Sequence, residues 1–333
     1  MNAKLIFSGI QPTGDINIGG YLGAIKNWVK MQHQTKSMFC VVDMHAITVW
    51  QDPIQLKKNT LKLIATYIAC GLDYKIIPMY PQSMVPEHTE LSWILGCLTP
   101  VGWLNRMTQF KSKSGSEKDK AGLGLYAYPV LMAADILIYK ANIVPVGEDQ
   151  TQHVELARDI AGAFNRAYGD YFPLPNAVIN KQTMRIMSLR DPLNKMSKSD
   201  TADGSRINLT DSDDLIAAKI KKAVTDSEPT IYYDPDNRPA VTNLLNIFGA
   251  ITGDDIENYG DKSQNTAEFK KSLSDVLIEH ISPIRSEINR LILNDSAELE
   301  KIMREGASIA RSIARNTISD VRKMVGLCDV WES

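Results

Sequence analysis

Cysteine is scarce in this 333-residue chain: Cys40, Cys70, Cys97 and Cys328 lie far apart, in apolar surroundings, without a CxxC pair. That excludes a disulfide frame and a cysteine metal centre, and it predicts buried free thiols in a reducing compartment. The five histidines show no metal-ligand spacing either, so no protein-bound metal is expected. No apolar run approaches the roughly 18 residues that span a bilayer, which argues against a membrane partner. The opening Met1–Gly9 segment is too briefly apolar for a signal peptide, and a cytoplasmic location is the expectation. An excess of positive charge is missing too, with 37 basic against 39 acidic residues and a net charge of −2. A protein held by non-specific attraction to phosphate is usually basic, so composition leans against a nucleic-acid binder. Finally, neither a P-loop nor a GxGxxG dinucleotide fingerprint occurs.

What is present is a soluble globular composition, 44% hydrophobic and 23% charged, at a length that suits two domains. The first two-thirds alternates β-rich runs with helical patterns. Leu5–Ile10, Met38–Val42, Lys75–Tyr80 and Ile143–Val146 read as strands. Leu22, Ile25 and Val29 mark one helix face, and helices are predicted over Leu56–Ala69, Glu90–Cys97, Trp103–Phe110, Val130–Tyr139 and Gln152–Tyr168. This alternation predicts an α/β fold, a Rossmann-type doubly wound parallel sheet. After about Ile207 the patterns are helical: Asp213–Val224, Thr242–Ile251, Ala267–Asn294 and Glu298–Val325. The expected division is a Rossmann-type domain over 1–206 and an all-helical domain over 207–333. Residues Lys111–Gly122, polar and without an apolar anchor, read as a mobile surface loop.

Two loops carry chemistry. The first, Gly9-Ile10-Gln11-Pro12-Thr13-Gly14-Asp15-Ile16-Asn17-Ile18-Gly19-Gly20, joins the first strand to the first helix. Gly19 and Gly20 would let a phosphate approach bare N–H groups at a helix N-terminus, or would merely allow close packing; sequence leaves both open. The second, Lys195-Met196-Ser197-Lys198-Ser199, sets two lysines three apart among hydroxyls, suited to a polyphosphate but also to a solvated polar loop.

Together these loops carry a resemblance. Lys195–Ser199 matches the KMSKS signature of class I aminoacyl-tRNA synthetases, and Asn17-Ile18-Gly19-Gly20 stands where that class has HIGH. Gly9–Gly14, Arg106–Lys111, Met132–Leu137, Val146-Gly147-Glu148-Asp149-Gln150 and Ala223–Ser227 make the chain similar to the bacterial tryptophanyl-tRNA synthetases over nearly its whole length. The fit is imperfect at HIGH: Asn17 replaces the first His, and Gly20 the final His or Asn, leaving only a backbone N–H as donor there.

The resemblance implies ATP, taken with Mg²⁺, L-tryptophan and tRNA(Trp) as ligands, and a homodimer. It assigns Gln11, Pro12, Thr13, Gly19, Gly20, Gly147, Glu148, Asp149, Ile186, Lys195, Met196, Ser197, Lys198 and Ser199 to ATP. Within that set Gly147, Glu148 and Asp149 face the ribose and Ile186 covers adenine. Lys195, Lys198 and Lys113, in the polar loop, are the catalytic cations on the phosphates. For tryptophan it implies Phe7 and Met132 as walls of the indole slot, Tyr128 and Gln150 on the amino group, and Asp135 on the indole N–H. Helical spacing independently puts Tyr128, Met132 and Asp135 on one face, and a carboxylate on an apolar helix must find a partner or rise in pKa. Of the histidines, His45 at the end of the second strand lines either the site or the core.

The last helix reopens the question of RNA. From Lys301 to Lys323 six basic residues face two acidic ones, and Arg304, Arg311, Arg315 and Arg322 share a face. That row would meet RNA phosphates or form a solvated, i,i+4-paired surface, with Ile302, Ile309, Ile313 and Met324 turned to the core. By resemblance the helical domain binds the anticodon. The rival readings are a tyrosyl-tRNA synthetase, against which Met132–Leu137 argues; a small-metabolite adenylyltransferase, which needs no helical domain; and a non-catalytic tRNA-binding paralogue, suggested by Gly20 alone.

Overall fold

Strand β1 (Leu5–Ile10) sends alternate side chains into two separate apolar layers, Ile6 to one and Phe7 to the other. The same two-residue period divides β2 (Lys36–Val41), with Phe39 and Val41 on one face and Met38 and Cys40 on the other. Both faces are covered, which is why these strands read as continuous apolar runs. The computed structural model describes residues 4–107, 122–178, 185–198, 200–259 and 265–328. Short strands β3 (Met79–Pro81), β4 (Ile143–Pro145) and β5 (Asn176–Val178) complete a parallel sheet of order β3-β2-β1-β4-β5. Strand order reverses direction at β1. A ligand crevice is therefore expected beyond the carboxyl ends of β1 and β4.

Helix α1 (Ile18–Gly20) widens through a π turn, Tyr21–Ile25, into α2 (Lys26–Met31); α3 (Asp43–Ala46) and α4 (Pro53–Ala69) follow. The other face takes α5 (Glu87–Gly96), α6 (Val101–Asn105), α7 (Leu123–Leu137) and α8 (Thr151–Tyr168). Beyond β5 the described elements are helical: α9 (Asp213–Lys221), α10 (Pro239–Thr252), α11 (Thr266–Leu293) and α12 (Ser296–Val325). They do not stand apart from the sheet. Helix α11 packs along α4, and α12 returns to cross β3 and α5. One apolar layer runs from Trp28 and Leu63 through Leu245 to Phe269.

Four expectations need correction. The third strand is not Lys75–Tyr80, because Asp73 gathers the N–H groups of Lys75, Ile76 and Ile77 into a turn and extension starts after Pro78. Helix α7 begins seven residues before Val130 and runs through Pro129, whose missing N–H does not end it. Cys40 is buried, but Cys97 at the end of α5 and Cys328 beyond α12 are exposed. On α12, Ile309 and Ile313 are exposed; the buried face is Leu299, Ile302, Met303, Gly306, Ala307, Ala310, Ala314 and Ile318. Small residues define it because the helix crosses β3 at backbone contact distance. No helix of the described residues is long and apolar enough to cross a membrane.

Candidate active site

The first loop leaves β1 and is pinned from both ends. Ile18 N–H donates to Ile207 O at 2.7 Å and Leu209 N–H to Ile16 O at 2.9 Å, so residues 16–18 lie antiparallel to 207–209. Buried Asn17 caps α1, its Oδ1 accepting from Gly20 N–H at 2.8 Å. The N–H that was to replace the missing side-chain donor of the HIGH-like motif is thus already engaged. Gly19 serves close packing: a Cβ there would stand 3.3 Å from Asn17 Oδ1 and 3.4 Å from Ile186 Cβ. Gln11 is half-buried beside this turn, Pro12 buried and Thr13 exposed.

The lysine loop is one arm of a small hairpin seated on that turn. Ser188 N–H donates to Asn194 O and Met196 N–H to Ile186 O, with Met187 bridged to Lys195. Ile186 and Met196 are buried in the apolar layer beside Ile16 and Ile18. A buried asparagine of α10, Asn243, clamps the other arm. Its Oδ1 accepts from Met187 N–H at 2.8 Å and its Nδ2 donates to Met187 O at 2.9 Å. Lys195 is exposed, with Nζ 3.9 Å from Asp149 Oδ1, which brings the lysine loop to the Gly147–Gln150 segment after β4. Lys198 is half-buried; burial pushes its ammonium down to about 8, opposed by Asp15 of the first loop. Asp15 itself is paired with Lys62. Gly147 and Asp149 are exposed, and Gln150 Nε2 donates to Asp149 Oδ2 at 2.8 Å. Lys113, Ser199 and the loop around Lys113 lie outside the described residues, as does the Glu148 side chain.

Deeper in, α7 presents Tyr128, Met132 and Asp135 as its spacing predicts. Phe7 is buried and stacked on Tyr139, with ring centroids 5.6 Å apart, and Met132 packs half-buried on the same apolar layer. Tyr128 hydroxyl shares a 2.8 Å hydrogen bond with buried His153, and burial pushes its pKa up to about 12. Asp135 is 1% exposed and has found partners. Gln82 Nε2 and His88 Nδ1 each reach its Oδ1 at 2.7 Å, and His45 Nε2 reaches Oδ2 at 2.7 Å. Burial alone would raise this carboxyl; the bonds and charge of His45 and His88 outweigh it and hold the pKa at about 2. His45 therefore lines the site. Gln82, His88, His153 and Asn243 were invisible as site residues in the sequence, although Gln82 and His88 fall where a strand's carboxyl end meets a helix.

The arginine row of α12 turns inward. Arg311 and Arg315 donate from Nε to Glu87 Oε1 of α5 at 2.8 and 3.2 Å, and Arg322 pairs with Glu90. Only Arg304, 3.4 Å from Glu300, keeps the i,i+4 arrangement of a solvated face. Three of the four therefore staple α12 to α5.

The chain matches the family model of class I tRNA synthetases (W and Y) over residues 2–284. It is 50% identical over 328 residues to a tryptophan–tRNA ligase of Rickettsia conorii, covering 97% of this chain and 98% of that one. A tryptophan–tRNA ligase of Clostridium acetobutylicum is 48% identical over 328 residues, with coverage of 98% and 97%. Among solved structures, tryptophanyl-tRNA synthetase from Mycoplasma pneumoniae superposes with a TM-score of 0.89 at 32% identity, covering 98% of both chains. The Campylobacter jejuni enzyme complexed with ADP and tryptophan gives 0.85 at 34% identity, covering 97% of this chain and all of that one. With two facing nucleotide-type loops at the switch of a parallel sheet, a buried ionised carboxylate beside them and these relatives along its full length, the chain belongs to the class I tRNA synthetases of the tryptophan and tyrosine group.

Proposed function

We infer that the protein is a tryptophan–tRNA ligase, which activates tryptophan with ATP and transfers it to the 3′ end of tRNA(Trp). The observation that carries the amino-acid choice is Asp135, buried and held ionised by its side-chain partners. The indole N–H is a donor with no acceptor capacity, and it completes the bonding of such a carboxylate. A phenylalanine side chain would leave that position unpaired, at a cost of roughly 1–3 kcal/mol. Phe7 and Met132 flank the indole, and Tyr128 and Gln150 take the amino group.

Activation is an in-line attack by the tryptophan carboxylate on the α-phosphorus. The bond to the bridging oxygen breaks and pyrophosphate leaves with the electron pair, so no protein nucleophile is required. Gln11 lies near the reacting groups, Gly147, Glu148 and Asp149 near the ribose, and Ile186 against adenine. Lys195 and Lys198, with Lys113, stabilise charge on the phosphates. Mg²⁺ would come to the site bound to the phosphates of ATP. In the second step the terminal tRNA hydroxyl attacks the carbonyl, losing its proton as AMP departs.

The residues after 206 hold the anticodon, and the enzyme works as a cytoplasmic homodimer. Exposed Trp93 of α5, Val101 of α6 and Leu123 of α7 supply an apolar surface for a second copy. These three helices adjoin, since α5 packs on α7 and Tyr126 hydroxyl bonds Val101 O. Amino-acid-dependent pyrophosphate exchange with each of the twenty amino acids tests the function. Exchange is expected with tryptophan alone; exchange with tyrosine instead, or with none, overturns the reading.

Asn243 provides a second test. It holds the hairpin by a peptide-like pair of bonds, so Asn243→Ala should loosen Lys195 and Lys198 without touching the amino-acid pocket. The kcat for exchange should fall about 10- to 100-fold, the value of two lost buried bonds at roughly 1 kcal/mol each, while KM for tryptophan stays put. A parallel rise in KM for tryptophan would mean that Asn243 acts through general stability.

A further inference from the structure

We propose that Gln82 and His88 are specificity-positioning residues, which saturate Oδ1 of Asp135 so that its carboxylate presents one remaining acceptor position, on Oδ2, to the substrate. This rests on the reading of Asp135 as the acceptor of the indole N–H.

Three separate elements converge on that carboxylate of α7. Gln82 lies in the 3-10 turn Gln82–Met84 after β3, His88 in the first turn of α5, His45 in α3 and Asp135 in α7. Gln82 and His88 are both fully buried. An ionised carboxylate only accepts hydrogen bonds, so the amide of Gln82 must direct its NH₂, not its oxygen, toward Asp135. The His88 tautomer is fixed in the same way. Tyr139 hydroxyl sits 2.7 Å from His88 Nε2, and burial drives the acidity of that phenol far below the ordinary. An acceptor-only carboxylate requires a proton on Nδ1, and the Tyr139 hydroxyl holds the ring from the Nε2 side.

Each carboxylate oxygen offers two acceptor positions. Oδ1 receives Gln82 and His88, both at 2.7 Å, and is full; Oδ2 receives His45 at 2.7 Å and keeps one. Among the described residues the ion-pair partners of Asp135 are His45 and His88, whose contacts are already counted, and Cys40, Tyr80 and Tyr139 are neutral buried groups around it. A single vacancy with fixed direction selects one N–H. If either donor to Oδ1 is lost, the carboxylate can rotate and spread its acceptor positions, and the pocket then holds an aromatic side chain without demanding the N–H.

The test is a selectivity ratio, kcat/KM in pyrophosphate exchange for tryptophan over that for 3-(benzothiophen-3-yl)alanine, which has sulfur in place of N–H. Gln82→Met and His88→Leu should each lower the ratio about 10- to 100-fold, mainly through KM for tryptophan, with KM for ATP unchanged. His88→Asn, whose amide nitrogen can stand where Nδ1 does, should restore most of the ratio. A residue that only supports folding would change the KM values for both amino acids together. Gln82→Asn, one methylene short of Asp135, is the gentler variant should Gln82→Met not fold, and the same loss is expected. Asp135→Asn separates the two levels of the claim. If it collapses the ratio while the Gln82 and His88 variants keep it, the positioning role is overturned and the reading of Asp135 stands. If Asp135→Asn itself leaves the ratio intact, both fall.

Discussion

Replacing Lys198 by alanine should slow adenylate formation by about 100- to 1,000-fold while barely changing the affinity for tryptophan, the scale expected when one preorganised charge is removed from a phosphate transition state. The half-buried position of this lysine supplies a second, sharper signature. Burial pushes its ammonium down to about 8 against the pull of Asp15, so the side chain is charged below that pH and neutral above it. As pH rises through 8, kcat/KM for ATP should therefore decline, by about tenfold per unit on the far limb. Lys198→Arg keeps its charge at every pH in the range and should lose that limb, even if its absolute rate is low. Single-turnover adenylate formation between pH 6.5 and 9.5 checks both outcomes. A limb that survives in the arginine variant belongs to some other group.

The lysine loop was legible because its chemistry is contiguous: five residues in order carry the signature, and the first loop lies where a parallel sheet opens. The sheet was legible for a related reason. Buried strands such as Met38–Val41 have apolar side chains on both faces, and their short length and β-rich content favour a strand over a buried helix segment. Strand β5 was missed because it is three residues long and largely exposed, so no periodicity marks it. The partners of Asp135 were hidden by distance along the chain, since His45 and Gln82 lie 90 and 53 positions away. Spacing could say that the carboxylate needed a partner, and the fold supplied three. On α12 the exposed Ile309 and Ile313 mislead, because the buried face is set by small residues, Gly306, Ala307, Ala310 and Ala314, with Gly306 against the β3 backbone. The arginine row misleads in the same way, because the buried carboxylate of Glu87 that Arg311 and Arg315 reach lies 224 and 228 positions away along the chain.

That crossing yields a prediction whose sign opposes the usual rule. Glycine in the middle of a helix is ordinarily worse than alanine by about 0.5–1 kcal/mol. At Gly306 of α12, however, a Cβ would lie 2.3 Å from Met79 O and 2.8 Å from Met79 N. Both are backbone atoms of β3 and cannot rotate aside, so helix and strand must separate. Gly306→Ala should therefore destabilise by about 1–3 kcal/mol, the range for overpacking a filled interior, and Gly306→Val by more. Gly162 of α8 is the control: its Cβ would meet Arg166 Nη1 at 3.2 Å, the end of a flexible side chain that can swing away. Gly162→Ala should be neutral or stabilising by up to about 1 kcal/mol. Displacement of α12 has a functional consequence as well. Arg311 and Arg315 hold Glu87, the neighbour in α5 of His88, so shifting the helix should disturb the support of Asp135 and raise KM for tryptophan more than KM for ATP. Urea unfolding of the two alanine variants beside wild type, with steady-state exchange on the folded proteins, decides the matter; a Gly306→Ala protein as stable as wild type would show that α12 does not seat on β3 at this distance.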